Sequence, residues 1–216
     1  FYVDKMWEVS GLESVSVIEN GPVRASVEFT RKFGGSRMTQ RVQIYDMLPR
    51  IDFDTEVDWN EKHTLLKVAF PVQVNSTHAT YDIQFGNIER PTHWNTSWDQ
   101  GKFEVYGHKW ADLSEANYGV SLLNDCKYGY DIKDNVIKLS LLRSPTNPDP
   151  HTDEGHHKFV YSLYPHKEDW RNGTAQTGYD LNVPMRAVKV EAQNGDMPRD
   201  FSLVSSRLES VILETI

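Results

Sequence analysis

Ile51-Asp-Phe-Asp-Thr-Glu-Val-Asp-Trp59 alternates in polarity along its whole length. A period of two sends successive side chains to opposite faces of an extended strand. Upstream, Val23-Arg-Ala-Ser-Val-Glu-Phe-Thr30 does the same, with Val23, Ala25, Val27 and Phe29 on one face. Downstream, Leu66, Val68, Phe70, Val72 and Val74 continue the pattern. Each stretch reads as a half-buried strand of an antiparallel sheet. The acidic row Asp52, Asp54, Glu56 and Asp58 is expected on a solvated strand face.

The same period recurs to the end of the chain, at residues 15–18, 136–142, 158–163, 187–191, 201–204 and 208–213. Asn20-Gly-Pro22, Gly34-Gly35 and Asp134-Asn135 fall between strands as turn signals. More than a dozen short strands are expected and no amphipathic helix, apart from a helical turn near 168–171. The fold class is therefore all-β, a large antiparallel β-sandwich, and residues 1–216 read as a single domain.

Composition narrows the function. A net charge of −8 argues against nucleic acid and anionic membrane as partners. The single cysteine, Cys126, suits a reducing, cytoplasmic setting and is read as buried or inert. No run of about 18 apolar residues could span a membrane. Both chain ends are expected to be boundaries inside a longer multidomain protein. Asn75, Asn95 and Asn172 open glycosylation patterns that are read as incidental.

Two long irregular segments, 87–115 and 144–157, are where function is expected on such a scaffold. The first carries Trp94, Trp98 and Trp110, with Asp99 beside them. Tryptophan faces stack on sugar rings and nearby polar groups bond hydroxyls, although wedging a sheet seam or an interface is the commoner use of such residues. The second holds His151, Asp153, His156 and His157 next to Arg143. Their spacing fits no standard zinc pattern, so Pro145, Pro148 and Pro150 are read as stiffening a structural loop, with Asp153 accepting backbone N–H bonds and His157 buried at the start of the next strand. Asp99, Glu104, Asp112 and Glu115 supply carboxylates of the type a glycosidase pair needs.

Several motifs together resemble the C-terminal region of the family 38 glycoside hydrolases, the α-mannosidases. They are Glu89-Arg-Pro-Thr-His through Asp99, Phe103-Glu-Val through His-Lys-Trp-Ala-Asp-Leu-Ser-Glu115, Tyr118–Asp131, Leu139-Ser-Leu-Leu-Arg-Ser-Pro through Pro150, and Asp153-x-Gly-x-His157-x-Phe159. The likeness covers roughly residues 13 to 190 and is nearest the cytosolic, vacuolar and bacterial branch. It implies a galactose-mutarotase-like sandwich and, in the full-length enzyme, retaining hydrolysis of terminal α-mannosides with zinc. In that family the zinc ligands and the nucleophilic aspartate lie in an N-terminal α/β barrel. No catalytic or metal residue is therefore carried onto this chain, and its own cofactor is none. The implied partners are the catalytic and helical domains of the same chain and mannose-containing glycans.

Trp94, Trp98, Asp99, Arg143, Asp153, His156 and His157 are the candidates for an active-site rim. One rival is a lectin-like module holding sugar on Trp94, Trp98 or Trp110. Another is an aldose mutarotase using His108, His156, Glu104 and Glu154.

Overall fold

The computed structural model describes residues 5–191, 194–196, 198–208 and 211–214. Thirteen strands and two short helices form among them. In chain order they are β1 (Leu12–Asn20), β2 (Arg24–Phe33), β3 (Ser36–Tyr45), β4 (Ile51–Trp59), β5 (Leu65–Pro71), β6 (His78–Ile83), β7 (Gly86–Pro91), α1 (Ser97–Gly101), β8 (Val105–Tyr106), β9 (Trp110–Glu115), β10 (Tyr118–Asn124), β11 (Gly129–Lys133), β12 (Val136–Arg143), β13 (Gly155–Lys167) and α2 (Thr174–Asn182).

Two antiparallel sheets result. The larger has nine strands in the order β1-β2-β3-β4-β13-β10-β9-β6-β7, and the smaller has four, β5-β12-β11-β8. Alternation places Val57 and Trp59 of β4, Leu122 of β10 and Phe159 of β13 between the sheets, opposite Ile137 and Leu139 of β12 and Tyr130 of β11; all are buried. Phe70 of β5 packs on Phe53 and Tyr161, with ring centroids 5.4 and 6.2 Å away. Tyr130 meets Tyr81 of β6 edge-on at 6.0 Å. The small sheet therefore lies over β4, β13, β10, β9 and β6. Burying one such side chain contributes about 1.5–3 kcal/mol.

The acidic row of β4 is not a solvated face. Asp52 is buried, accepting from the Ser162 hydroxyl at 2.6 Å and from Arg50 at 3.3 Å. The Arg41 guanidinium lies 3.5 Å from Asp54 and 3.1 Å from Glu56, and Lys158 also reaches Glu56 at 3.2 Å. Arg41 of β3 and Lys158 of β13 supply cations to Asp54 and Glu56, which a single strand's pattern does not reveal. Of this row only Asp58 is exposed.

Other expectations need correction. The segment 87–115 is not irregular: it holds most of β7, then α1, β8 and β9. A turn forms at 170–173, overlapping the helical turn expected near 168–171, and a nine-residue helix that was not expected, α2, follows it from Thr174. Residues 187–191 and 201–204 form no strand, and their apolar side chains lie exposed. A lone extended segment leaves its N–H and C=O groups unpaired, and none of the pairings among the described residues reaches these segments. The last expected strand, 208–213, lies partly outside the described residues.

On the outer face of the nine-stranded sheet, α2 is held by a buried polar cluster. The Asp112 carboxylate accepts from the hydroxyls of Ser114 and Ser121, each at 2.7 Å, and lies 2.7 Å from His166 Nε2. The Ser121 hydroxyl also sits 2.7 Å from that of Thr174, the first residue of α2. His166 Nδ1 lies 3.2 Å from the carbonyl of Lys167, so both ring nitrogens face acceptors. Burial alone favours the neutral ring, but the hydrogen bond and charge of Asp112 outweigh it, and the pKa of His166 is raised. A side chain on Gly119 would collide with the His166 ring and with Ser114.

Two outcomes follow. Because the folded pKa of His166 lies above its unfolded value, its contribution is complete below about pH 6.5 and is lost as pH rises through the folded pKa. Thermal melts across pH 5.5 to 9 should show the gap between wild type and His166→Gln shrinking toward the alkaline end; a pH-independent gap would contradict this. In denaturant titrations, Leu139→Ala should lose about 2–5 kcal/mol, whereas Val17→Ala on the exposed part of β1 should change stability by less than about 0.5 kcal/mol.

Candidate functional site

The loop between β7 and β8 is built around α1. Thr96 caps the helix: its Oγ1 accepts from the Asp99 N–H at 3.2 Å, while the Asp99 carboxylate accepts from the Thr96 N–H at 3.1 Å and from its hydroxyl at 2.8 Å. This reciprocal capping satisfies otherwise orphaned donors at the helix start. The Thr96 hydroxyl bond holds the Asp99 carboxyl below the usual carboxylate range. Asp99 is thus committed to the loop's own structure. The cap turns Trp98 outward, 81% exposed, and leaves Trp94 52% exposed with the Lys133 ammonium 5.4 Å from its ring centroid. Burial lowers the pKa of Lys133.

Beneath this loop, the buried Arg90 guanidinium lies between the rings of Tyr81 and Tyr106, 4.6 and 4.7 Å from their centroids, and donates to the Tyr106 carbonyl at 2.7 Å. Beside the loop runs an open groove of about 430 Å³, lined by residues 72–77, Thr92, His93, Glu115, Asp134 and Asn135. Its walls are tied together. Thr92 donates to the Ser76 carbonyl at 2.7 Å, Asn135 to the Val72 carbonyl at 2.8 Å, and the Asp134 N–H to the Thr92 carbonyl at 2.9 Å. Exposed indole faces next to a rigid polar groove can stack on a sugar ring and bond its hydroxyls.

Arg143, Asp153, His156 and His157 gather elsewhere. Asp153 accepts from the Arg143 N–H at 3.3 Å, and its carbonyl lies 2.7 Å from His157 Nε2. His156 Nδ1 lies 2.9 Å from Asp58, and His151 Nδ1 lies 2.8 Å from Glu154. The His151 bond lowers the pKa of Glu154. Asp153 and Gly155 take φ of 62° and 127°, which lets the chain turn sharply into β13. His157 is half-buried rather than buried. The groove adjoins the Asp134–Asn135 turn at the start of β12, while Arg143 ends that strand. Eight residues of strand separate the two clusters by about 23 Å. They are not one site.

The remaining sequence candidates scatter. Trp110 is buried and stacks on Trp170 at 5.2 Å, so it offers no platform to a sugar. Asp112 belongs to the α2 cluster, Glu104 accepts from the Ser140 hydroxyl, and Glu115 accepts from the Asn75 N–H at 3.0 Å. Each carboxylate is engaged by a different set of partners. His108 packs on Tyr128 at 5.5 Å, while His156 and Glu154 lie at the Arg143 end, so the four mutarotase candidates form no single constellation. Cys126 is exposed, not buried, and its thiol is pushed up to about 11 by partial desolvation and by Asp125. Among the described residues, no three His, Cys, Asp or Glu side chains converge to hold a metal ion.

Sequence reading missed His93, Arg90, Lys133 and the Asp112–Ser121–His166–Thr174 cluster. The period of two sets Trp110 and Asp112 on one face, yet only the register of β9, β10 and β13 brings Ser121 and His166 to them.

The family model of the glycosyl hydrolases family 38 C-terminal domain matches residues 1–151. Human alpha-mannosidase 2C1 is 43% identical over 205 residues, 94% of this chain and 20% of that protein. An alpha-mannosidase of Saccharomyces cerevisiae is 48% identical over 170 residues, 78% of this chain and 16% of that protein. The crystal structure of an alpha-mannosidase from Enterococcus faecalis V583 superposes with a TM-score of 0.75 at 19% identity, over 86% of this chain and 26% of that one. The chain thus spans about a fifth of the length of the curated relatives it matches. By the match of the family model to most of its length, the chain belongs to the family of glycosyl hydrolases family 38 C-terminal domains.

Proposed function

We propose that this chain is the non-catalytic C-terminal sandwich of an α-mannosidase, a cytoplasmic enzyme that hydrolyses terminal α-mannosides with retention. The observation that carries the reading is the state of its carboxylates. Asp99 is spent on a helix cap, Asp112 on the α2 cluster, Glu104 on Ser140 and Glu115 on a backbone amide. A retaining glycosidase needs two carboxyl groups facing one glycosidic bond about 5 Å apart. None of these four is poised for that work. Among the described residues no cluster of His, Cys, Asp and Glu fits zinc either, so in this reading the metal and the acid pair belong to other parts of the longer chain.

The contribution of this domain would be mechanical support and a rim for the glycan. Trp98, on the capped helix, and Trp94, next to the groove residue His93, are the exposed rim residues we favour over the Arg143 cluster. In the latter, Asp153, His156 and His157 are already bonded to neighbouring protein groups.

The test is aryl and disaccharide α-mannoside hydrolysis by the longer enzyme and its variants. An aromatic contact is worth about 0.5–1.5 kcal/mol. Trp98→Ala should therefore raise KM for a mannose disaccharide roughly 2- to 12-fold, leaving the melting temperature unchanged. Asp153→Ala should lower thermal stability without raising KM. The reverse pattern would move the rim to the other end of β12. Hydrolysis by the 216-residue chain alone would sink the non-catalytic reading.

A further inference from the structure

The nine-stranded sheet is wider than its cover. Val17, Val27, Val42, Phe53 and Tyr161 stand opposite one another in turn across β1, β2, β3, β4 and β13. At one end of this row Phe53 lies under Phe70 of β5. Past β5 the smaller sheet stops. Val42 and Val27 are half-buried and Val17 is 68% exposed. The neighbouring row behaves alike: Ile51 is half-buried, while Ile44 opposite it is 53% exposed. Val15, on the same face of β1 as Val17, is 51% exposed. Contiguous apolar surface of this kind marks an interaction site.

The opposite face of the same strands is laced with ion pairs. It carries Glu19–Arg24 at 2.7 Å, Glu28–Arg41 at 2.9 Å and Glu13–Arg37 at 3.2 Å. The free edge is also protected. Register shifts between Leu12 and Ser14, and between Val17 and Glu19, kink β1 at both ends. Such bulges blunt strand-to-strand pairing with another copy. The face, not the edge, awaits a partner.

We infer that this uncovered face of β1–β3 is the surface on which the preceding part of the longer α-mannosidase chain docks, an inference that rests on the proposed function. The family is one of C-terminal domains, and four-fifths of the length of the curated relatives lies outside the region this chain matches. Residues 5–11 lead into β1 from the core side: Val9 packs against the core, while Met6 and Trp7 are exposed just before it. The entry into β1 thus lies on the side of the sheet that bears the core. Near the end of the tail, one residue is fixed away from this face. Glu214 lies 3.2 Å from the Tyr179 hydroxyl of α2 and 4.0 Å from Lys109, on the other side of the sheet.

Carbene footprinting of the longer enzyme tests this with references inside the same molecule. Fully exposed Phe85 sets the upper level of labelling and fully buried Val57 the lower. Val15, Val17 and Ile44 should label near the Val57 level in the longer enzyme and several-fold more strongly in the 216-residue chain. Labelling near the Phe85 level in the longer enzyme overturns the inference. So does protection already present in the 216-residue chain, or protection that disappears when light scattering shows a dimer diluted to monomer. The same preparation is assayed on an aryl α-mannoside. Hydrolysis with a fully labelled face sinks this inference alone, whereas a longer chain without hydrolysis sinks the functional reading and this inference with it.

Discussion

A nine-stranded sheet with one apolar face cannot be covered by a sheet of four strands, and the remaining architecture follows from that mismatch. The small sheet lies over β4, β13, β10, β9 and β6, where Trp59, Tyr81, Tyr130, Phe159 and Leu122 lose all or nearly all contact with water. The hydrophobic contribution is concentrated there. Beyond β5 the same alternation continues without a partner, so identical residue types change from core to surface along one hydrogen-bonded row.

Polar residues then define the two sides of the large sheet. Between the sheets Gln40 donates to the Tyr161 hydroxyl at 2.7 Å, while the buried Trp59 indole N–H has no hydrogen-bond partner among the described residues. On the outer side, carboxylates and cations alternate across strands, and under α2 a fully bonded Asp–Ser–His–Thr cluster replaces a second apolar layer. Removing one member of such a cluster strands buried polar partners, which is why it fixes α2 in place and not merely touches it. The loops at the two ends of β12 inherit this rigidity. One presents aromatic faces beside a groove, and the other closes on its own hydrogen bonds.

The alternation in Val23–Thr30 and Ile51–Trp59 was enough to derive an all-β sandwich, because face selection depends only on local period. Turn chemistry likewise placed the hairpins at Gly34 and Asp134, whose φ of 53° and 50° those residue types tolerate. Strand partners were not legible. Residues 187–191 carry a strand pattern but form no ladder, since pattern does not supply a neighbour. Nor was α2 legible in Thr174-Ala-Gln-Thr-Gly-Tyr-Asp-Leu-Asn182, a segment with a mid-helix glycine and no apolar stripe, which is helical because it caps the polar cluster beneath it. At the candidate site, the exposure of Trp94 and Trp98 and the burial of Trp110 depend on the Thr96–Asp99 cap and on Trp170, whose contacts span from three to sixty residues.

Amide hydrogen exchange across the nine-stranded sheet of the 216-residue chain tests this account most directly. Graded cover predicts graded opening: the slowest amides in β13, β10 and β4, faster ones in β3 and β2, and the fastest in β1. Uniform protection from β13 to β1 would contradict the claim that the small sheet's cover ends at β5.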